Sequence, residues 1–132
     1  MGFADVIGAA AAAFVFGAIW YGVLSKPWIR AAGVVVRADG KPVNSTNPWP
    51  YAVSGVMILL VAGMMRHIFT LSAIDTIIEG LTSGFGLGAF IISPWLILTV
   101  GFEGRPWSLG LINAGYASLG CAIMGAVLIL LA

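Results

Sequence analysis

Four ionisable side chains cluster where one apolar run gives way to the next: Arg66 and His67, then Asp75 and Glu79. An imidazole beside two carboxylates is the group set of a proton or cation relay, because each can gain or lose a proton or bind a cation inside a membrane. Asp75 and Glu79 stand one helical turn apart and share a face. A relay needs acceptors that continue across the bilayer, and Gly80 to Thr99 offers only Thr82, Ser83, Ser93 and Thr99. The route stops half-way. The stronger expectation is an ion pair between Arg66 and Glu79 or Asp75 that neutralises this rim, with Arg66 also able to extend its charge toward water.

A second set is Glu103, Arg105 and Asn113. Asn113 lies eight residues beyond Arg105, about 12 Å along a helix axis, and an amide at that depth must find partners in a low-dielectric interior. It is expected to act as glue between helices, with substrate positioning alongside Glu103 and Arg105 as the alternative. Pro94 frees the carbonyl of Phe90, a recipient for such an amide or for a hydroxyl. One His and one Cys on different runs do not complete a metal site. There is no Gly-x-Ser-x-Gly elbow and no phosphate loop, and the glycines of Gly84-Phe85-Gly86-Leu87-Gly88 sit mid-run and read as packing. No catalytic residue, metal or cofactor is expected, and the chain reads as a protein that is not an enzyme. Cys121 reads as a small buried hydrophobe.

These residues hang on four long apolar runs. Pro106 to Ala132 reaches the C-terminus without an acid, Lys, Arg or His, and Val6 to Leu24 and Gly80 to Phe102 are likewise uncharged or nearly so. Roughly 20 apolar residues cross about 30 Å of hydrocarbon as a helix. Hydrophobic residues make up 61% and charged ones 8%, against roughly 25% charged in a soluble domain. The expected fold is an all-α membrane protein, with four transmembrane helices in a compact bundle over about 3–25, 50–70, 75–101 and 106–131. The first run lacks a basic n-region and carries Asp5, so it is expected to be retained as a helix, not removed as a signal peptide. A net charge of +1 offers nucleic acid no basic patch.

Lys26, Arg30, Arg37, Lys41 and Arg105 fall on one face of such a bundle and only Arg66 on the other. The basic face is therefore expected in the cytoplasm of an inner membrane, with both termini periplasmic. Trp20, Trp28, Trp49, Trp95 and Trp107 lie toward the same half and read as an interfacial belt. The segment between the first two spans carries Asp39-Gly40 after a β-branched run, which signals a turn with at most a small hairpin. Small residues recur every four positions: Gly80, Gly84 and Gly88 in the third span, Gly110, Ala114, Ser118, Ala122 and Ala126 in the fourth, and Ala9, Ala13 and Gly17 in the first. Such stripes let backbones approach in lipid, either within the bundle or toward a partner.

Trp20-Tyr21, Trp28 and Gly33, with Phe102-Glu103-Gly104-Arg105-Pro106 and Leu111-Ile112-Asn113-Ala114-Gly115-Tyr116 after the third span, resemble the bacterial four-helix membrane proteins of domain-of-unknown-function family 1761. The resemblance covers essentially the whole chain. It implies the fold and singles out Trp20, Tyr21, Glu103, Arg105, Asn113 and Tyr116 as binding or packing candidates, but implies no activity. The expectation is a non-enzymatic scaffold or accessory subunit embedded in the lipid bilayer, as a homo-oligomer or part of a larger complex. The alternative is a small oligomeric transporter or channel for an ion or small solute.

Overall fold

A computed structural model describes residues 2–132. Helix α1 covers Ala4–Val23. Pro27 has no N–H to offer the Val23 carbonyl four residues back, so the ladder is interrupted there and the chain continues as a short helix α2 (Ser25–Ala32). It stops at Gly33, whose φ of 66° is the left-handed geometry that favours glycine at a helix end. The following segment closes around Gly40, where the Lys41 carbonyl accepts from the Arg37 N–H at 2.8 Å and the Val35 carbonyl from the Val43 N–H at 2.9 Å. Only an isolated bridge joins Val36 to Pro42, and no strand forms among the described residues. The Asp39 carboxylate accepts the Lys41 N–H at 3.0 Å, and this bond, with Arg37 and Lys41 nearby, holds its pKa below the ordinary aspartate value.

Helix α3 (Pro48–Leu71) starts where the Asn47 side chain accepts the Trp49 N–H at 3.1 Å. Pro48 and Pro50 occupy its first turn, where missing donors cost nothing. A turn through Ala73, at φ 55°, leads to Thr76, whose hydroxyl caps the Glu79 N–H at 3.2 Å and opens α4 (Ile77–Leu87). The third span continues through one wide π-helical turn, Gly88–Ile92, into α5 (Ser93–Phe102). The wide turn directly precedes the Ser93-Pro94 pair, at a position where the proline cannot supply the regular bond. Helix α6 (Trp107–Leu130) follows the Gly104 turn. The four helical stretches Ala4–Val23, Pro48–Leu71, Ile77–Phe102 and Trp107–Leu130 are each long and apolar enough to cross a membrane.

Helices α1 and α6 form the middle of the bundle. The third span packs on α6 and α3 on α1, while the second and third spans make little contact although a short turn joins them. The glycine stripe sets the closest approach. A Cβ on Gly80 would lie 2.5 Å from the Gly125 carbonyl oxygen, and Cβ atoms on Gly84 and Gly88 would collide with the carbonyls of Cys121 and Ala117. The obstacles are backbone, so the two helices touch main chain to main chain. Ala9, Ala13 and Gly17 of α1 are buried as well. All three small-residue stripes are thus engaged inside the chain.

The core is uneven along the membrane normal. Its main cluster joins Val6, Ala9, Ala10 and Ala13 to Ala62, Met65 and Phe69 and to Cys121, Met124 and Leu128, all in the half that holds the termini. Near the opposite rim the buried hydrophobic cluster is small, joining Ala31, Val100 and Leu109. Ala62, Met65 and Phe69 are the buried residues of α3, and each lies in its last ten positions.

Candidate functional site

The residues of the sequence signature converge where α1 crosses α6. The Trp20 indole N–H donates to the Ile112 carbonyl at 3.0 Å, the Tyr21 hydroxyl donates to Asn113 Oδ1 at 2.8 Å, and the Tyr116 hydroxyl donates to the Ala13 carbonyl at 3.0 Å. Glycines make room for the rings. A Cβ on Gly115 would lie 2.6 Å from the Trp20 ring, and one on Gly17 would lie 2.8 Å from the Tyr116 oxygen. Tyr21 meets Tyr116 edge-on at 5.4 Å between centroids and Trp28 of α2 edge-on at 5.9 Å, the geometry that aromatic quadrupoles favour. Phe16 completes the group against Trp20 and Tyr116. The polar atoms of Trp20, Tyr21 and Tyr116 each have a partner on the opposite helix, as burial requires. The arrangement can lock α1 to α6 and present a mostly apolar, aromatic surface.

Trp20 and Trp28 therefore depart from the belt expected of them: they pack inward, while Trp49, Trp95 and Trp107 are exposed at 72%, 70% and 65% and remain at the surface. Asn113 differs in its partner too. Its oxygen takes the Tyr21 hydroxyl, and the role expected of the Phe90 carbonyl falls to others. Ser93, buried beside Pro94, donates to the Gly88 carbonyl at 2.6 Å, lies 3.1 Å from the Ala114 carbonyl, and stands 3.2 Å from the Ser118 hydroxyl. The wide turn moves the available carbonyl one residue further back than a regular helix would. Sequence reasoning passed over Ser93 as a hub; its place before a proline and opposite Ser118 on a small-residue stripe was the available signal.

Glu103 and Arg105 do not join Asn113. They pair with each other at 2.9 Å on the rim, both about half exposed, and Arg105 also reaches the Ala32 carbonyl at 3.4 Å. The opposite rim requires a correction. Arg66 was expected to pair with Asp75 or Glu79, but its Nη1 lies 3.0 Å from Asp5 Oδ1 and 2.9 Å from the Gly2 carbonyl, with the guanidinium 4.9 Å above the Phe3 ring. The cause is topological: α3 lies on α1, not on α4. Glu79 instead accepts the Thr76 hydroxyl at 2.7 Å, and His67 and Asp75 are exposed. No group of three or more His, Cys, Asp or Glu among the described residues could hold a metal ion.

Four membrane-length helices closed by a glycine contact and an aromatic–amide lock define a multi-pass helical membrane protein. The chain matches the family model described as protein of unknown function (DUF1761) over residues 4–129, and it belongs to that family. No curated protein and no solved structure matches it.

Proposed function

We propose that this chain is a non-enzymatic scaffold or accessory subunit of a larger assembly in a bacterial cytoplasmic membrane, acting through helix packing. The supporting observation is how its polar groups are used. Tyr21 with Asn113, and Ser93 with Ser118, bond within the bundle, while Thr82 turns back on its own helix at 2.8 Å from the Ile78 carbonyl. They form isolated pairs, not a file of side chains along which an ion could pass. Small residues remain for a partner on α3, where added Cβ atoms on Gly55 and Gly63 would meet nothing within 4 Å. The five-to-one division of basic residues favours a cytoplasmic face at the α2 rim and periplasmic termini.

The test is purification in mild detergent with mass identification of retained proteins, for the parent and for Gly55→Leu and Gly63→Leu. A partner held by the parent and lost in the variants at unchanged thermal stability supports the subunit reading. A chain that purifies alone, and that supports ion or solute flux in liposomes, refutes it in favour of transport.

A further inference from the structure

We infer that the basic half of the bundle holds one anionic phospholipid in a preformed slot between α1 and α3. The two helices are joined tightly near the termini and diverge toward the α2 rim, where the first fourteen residues of α3 include no buried side chain. A cavity of about 550 Å³ occupies the gap, walled by Phe14, Ala18 and Gly22 of α1, Trp28 of α2, and Met57 and Ile58 of α3. Its volume falls within the range of about 300–1,000 Å³ of small-molecule sites.

Depth and chemistry specify the occupant. On α3 the cavity wall descends from Tyr51 to Ile58 and on α1 from Gly22 to Phe14, about 10 and 12 Å along the helices, against about 15 Å for half of a hydrocarbon core about 30 Å thick. The slot thus covers most of one leaflet and takes the upper part of one acyl chain. Its lining is almost wholly apolar below, and Ser25, Ser45 and Tyr51 stand at its mouth. A second cavity of about 380 Å³ adjoins it across Tyr21, Ile58 and Tyr116 and extends the apolar space toward Met124.

The mouth is positive. Lys26, Arg30, Arg37, Lys41 and Arg105 face only Asp39 and Glu103, leaving +3 on this rim of a chain whose net charge is +1. Arg37 meets the mouth through Ser45, its Nη2 3.3 Å from the Ser45 hydroxyl and 3.4 Å from Asp39 Oδ2, and its Nε is buried with no hydrogen-bond partner among the described residues. A phosphodiester oxygen at the mouth would meet the exposed part of the guanidinium, and a turn of the side chain toward it would give Nε a partner, as in basic sites for acidic headgroups between transmembrane helices. An apolar slot that covers most of one leaflet, opening beneath a rim of net charge +3, fits an anionic lipid better than a neutral one. This inference is independent of whether a protein partner exists.

The experiment is native mass spectrometry of the detergent-solubilised full chain, titrated with dioleoyl phosphatidylglycerol or dioleoyl phosphatidylcholine. One phosphatidylglycerol should bind at least five-fold more tightly than phosphatidylcholine. Gly22→Leu and, independently, Ala18→Leu fill the slot where side chains are exposed or unopposed, so both should lose the tight site while keeping the parent's thermal stability. Arg37→Gln should retain a lipid but bind the two headgroups equally. Equal binding of the two lipids by the parent overturns the inference. So does undiminished phosphatidylglycerol preference in stable slot-filling variants, which would indicate only diffuse attraction to a basic surface, and preference unchanged in Arg37→Gln removes the headgroup assignment.

Discussion

Placing a single methyl group on the α4–α6 contact gives the sharpest test of the fold. At Gly84 the added Cβ would overlap the Cys121 carbonyl oxygen and approach the Ala122 Cα at 3.3 Å. Neither is the end of a flexible side chain, so the helices must separate along the stripe. Overpacking of a close contact costs about 1–3 kcal/mol, and here van der Waals contact is also lost along the seam from Gly80 to Gly88. Gly84→Ala should therefore destabilise by at least the upper part of that range. Gly86→Ala, on the same helix but with nothing within 4 Å of its Cβ, is the internal control. There only propensity changes, which favours Ala by up to about 1 kcal/mol. Reversible unfolding in mixed micelles, or steric trapping in bicelles, measures both. Once Gly84→Ala has parted the helices, a second methyl at Gly88 should add little, since neighbouring sites on one contact are not additive. A Gly84→Ala protein as stable as the parent, or a Gly86→Ala protein equally damaged, would refute the main-chain contact.

At the signature, Tyr21→Phe removes the donor to Asn113 and should cost about 0.6 kcal/mol, with about 1.7 as an upper bound for such bonds in membranes; Asn113→Ala should cost a similar amount, and a cost above 3 kcal/mol for either in the same unfolding assay would show a wider role. Asp5→Asn and Arg66→Gln should be less than additive when combined, with a coupling of about 0.5–3 kcal/mol, whereas Glu79→Gln with Arg66→Gln should be strictly additive. Ala73→Gly relieves a left-handed backbone that costs an L-residue about 1–2 kcal/mol, so it should raise stability by a net few tenths to about 1 kcal/mol after the entropic cost of glycine. Because the folded pKa of Asp39 lies below its unfolded value, its contribution to the 37–41 turn is present above the ordinary aspartate pKa and is lost as the pH falls through the lowered one; amide exchange at Lys41 should quicken over that interval, and Asp39→Asn should abolish the change.

Hydropathy and small-residue spacing were enough to read the four spans and the glycine stripes, because both are dictated by the solvent, the bilayer, and not by distant partners. Asp39-Gly40 likewise announced its turn. The pairing of spans was not legible. The expectation for Arg66 looked to the neighbour in sequence, yet α3 lies on α1, and Asp5, some sixty residues away, supplies the carboxylate. Asn113 was identified as glue, but nothing in its surroundings marks Tyr21 as its donor across 92 positions. Ser93 escaped because a serine in an apolar run bonds its own helix by default, and only the wide turn before Pro94 points it toward Ala114 and Ser118.

The uneven core follows from how side-chain volume is distributed along α1. Toward the termini α1 presents Val6, Ala9, Ala10 and Ala13, so α3 approaches closely and the Asp5–Arg66 pair, only 12% and 21% exposed, closes the end. Toward the other rim it presents Phe14 and Tyr21, with Trp28 of α2 above them, and interaxial separation is set by the side chains at the contact. The rings cannot retract, because Tyr21 is held by Asn113 and by the edges of Tyr116 and Trp28. The same lock that joins α1 to α6 therefore keeps Tyr21 at the cavity wall, where it cannot move across to meet α3. A bundle built for uniform closure would place small residues along the whole of that seam; this one spends its largest side chains where closure would otherwise occur, directly beneath the rim that carries most of the positive charge.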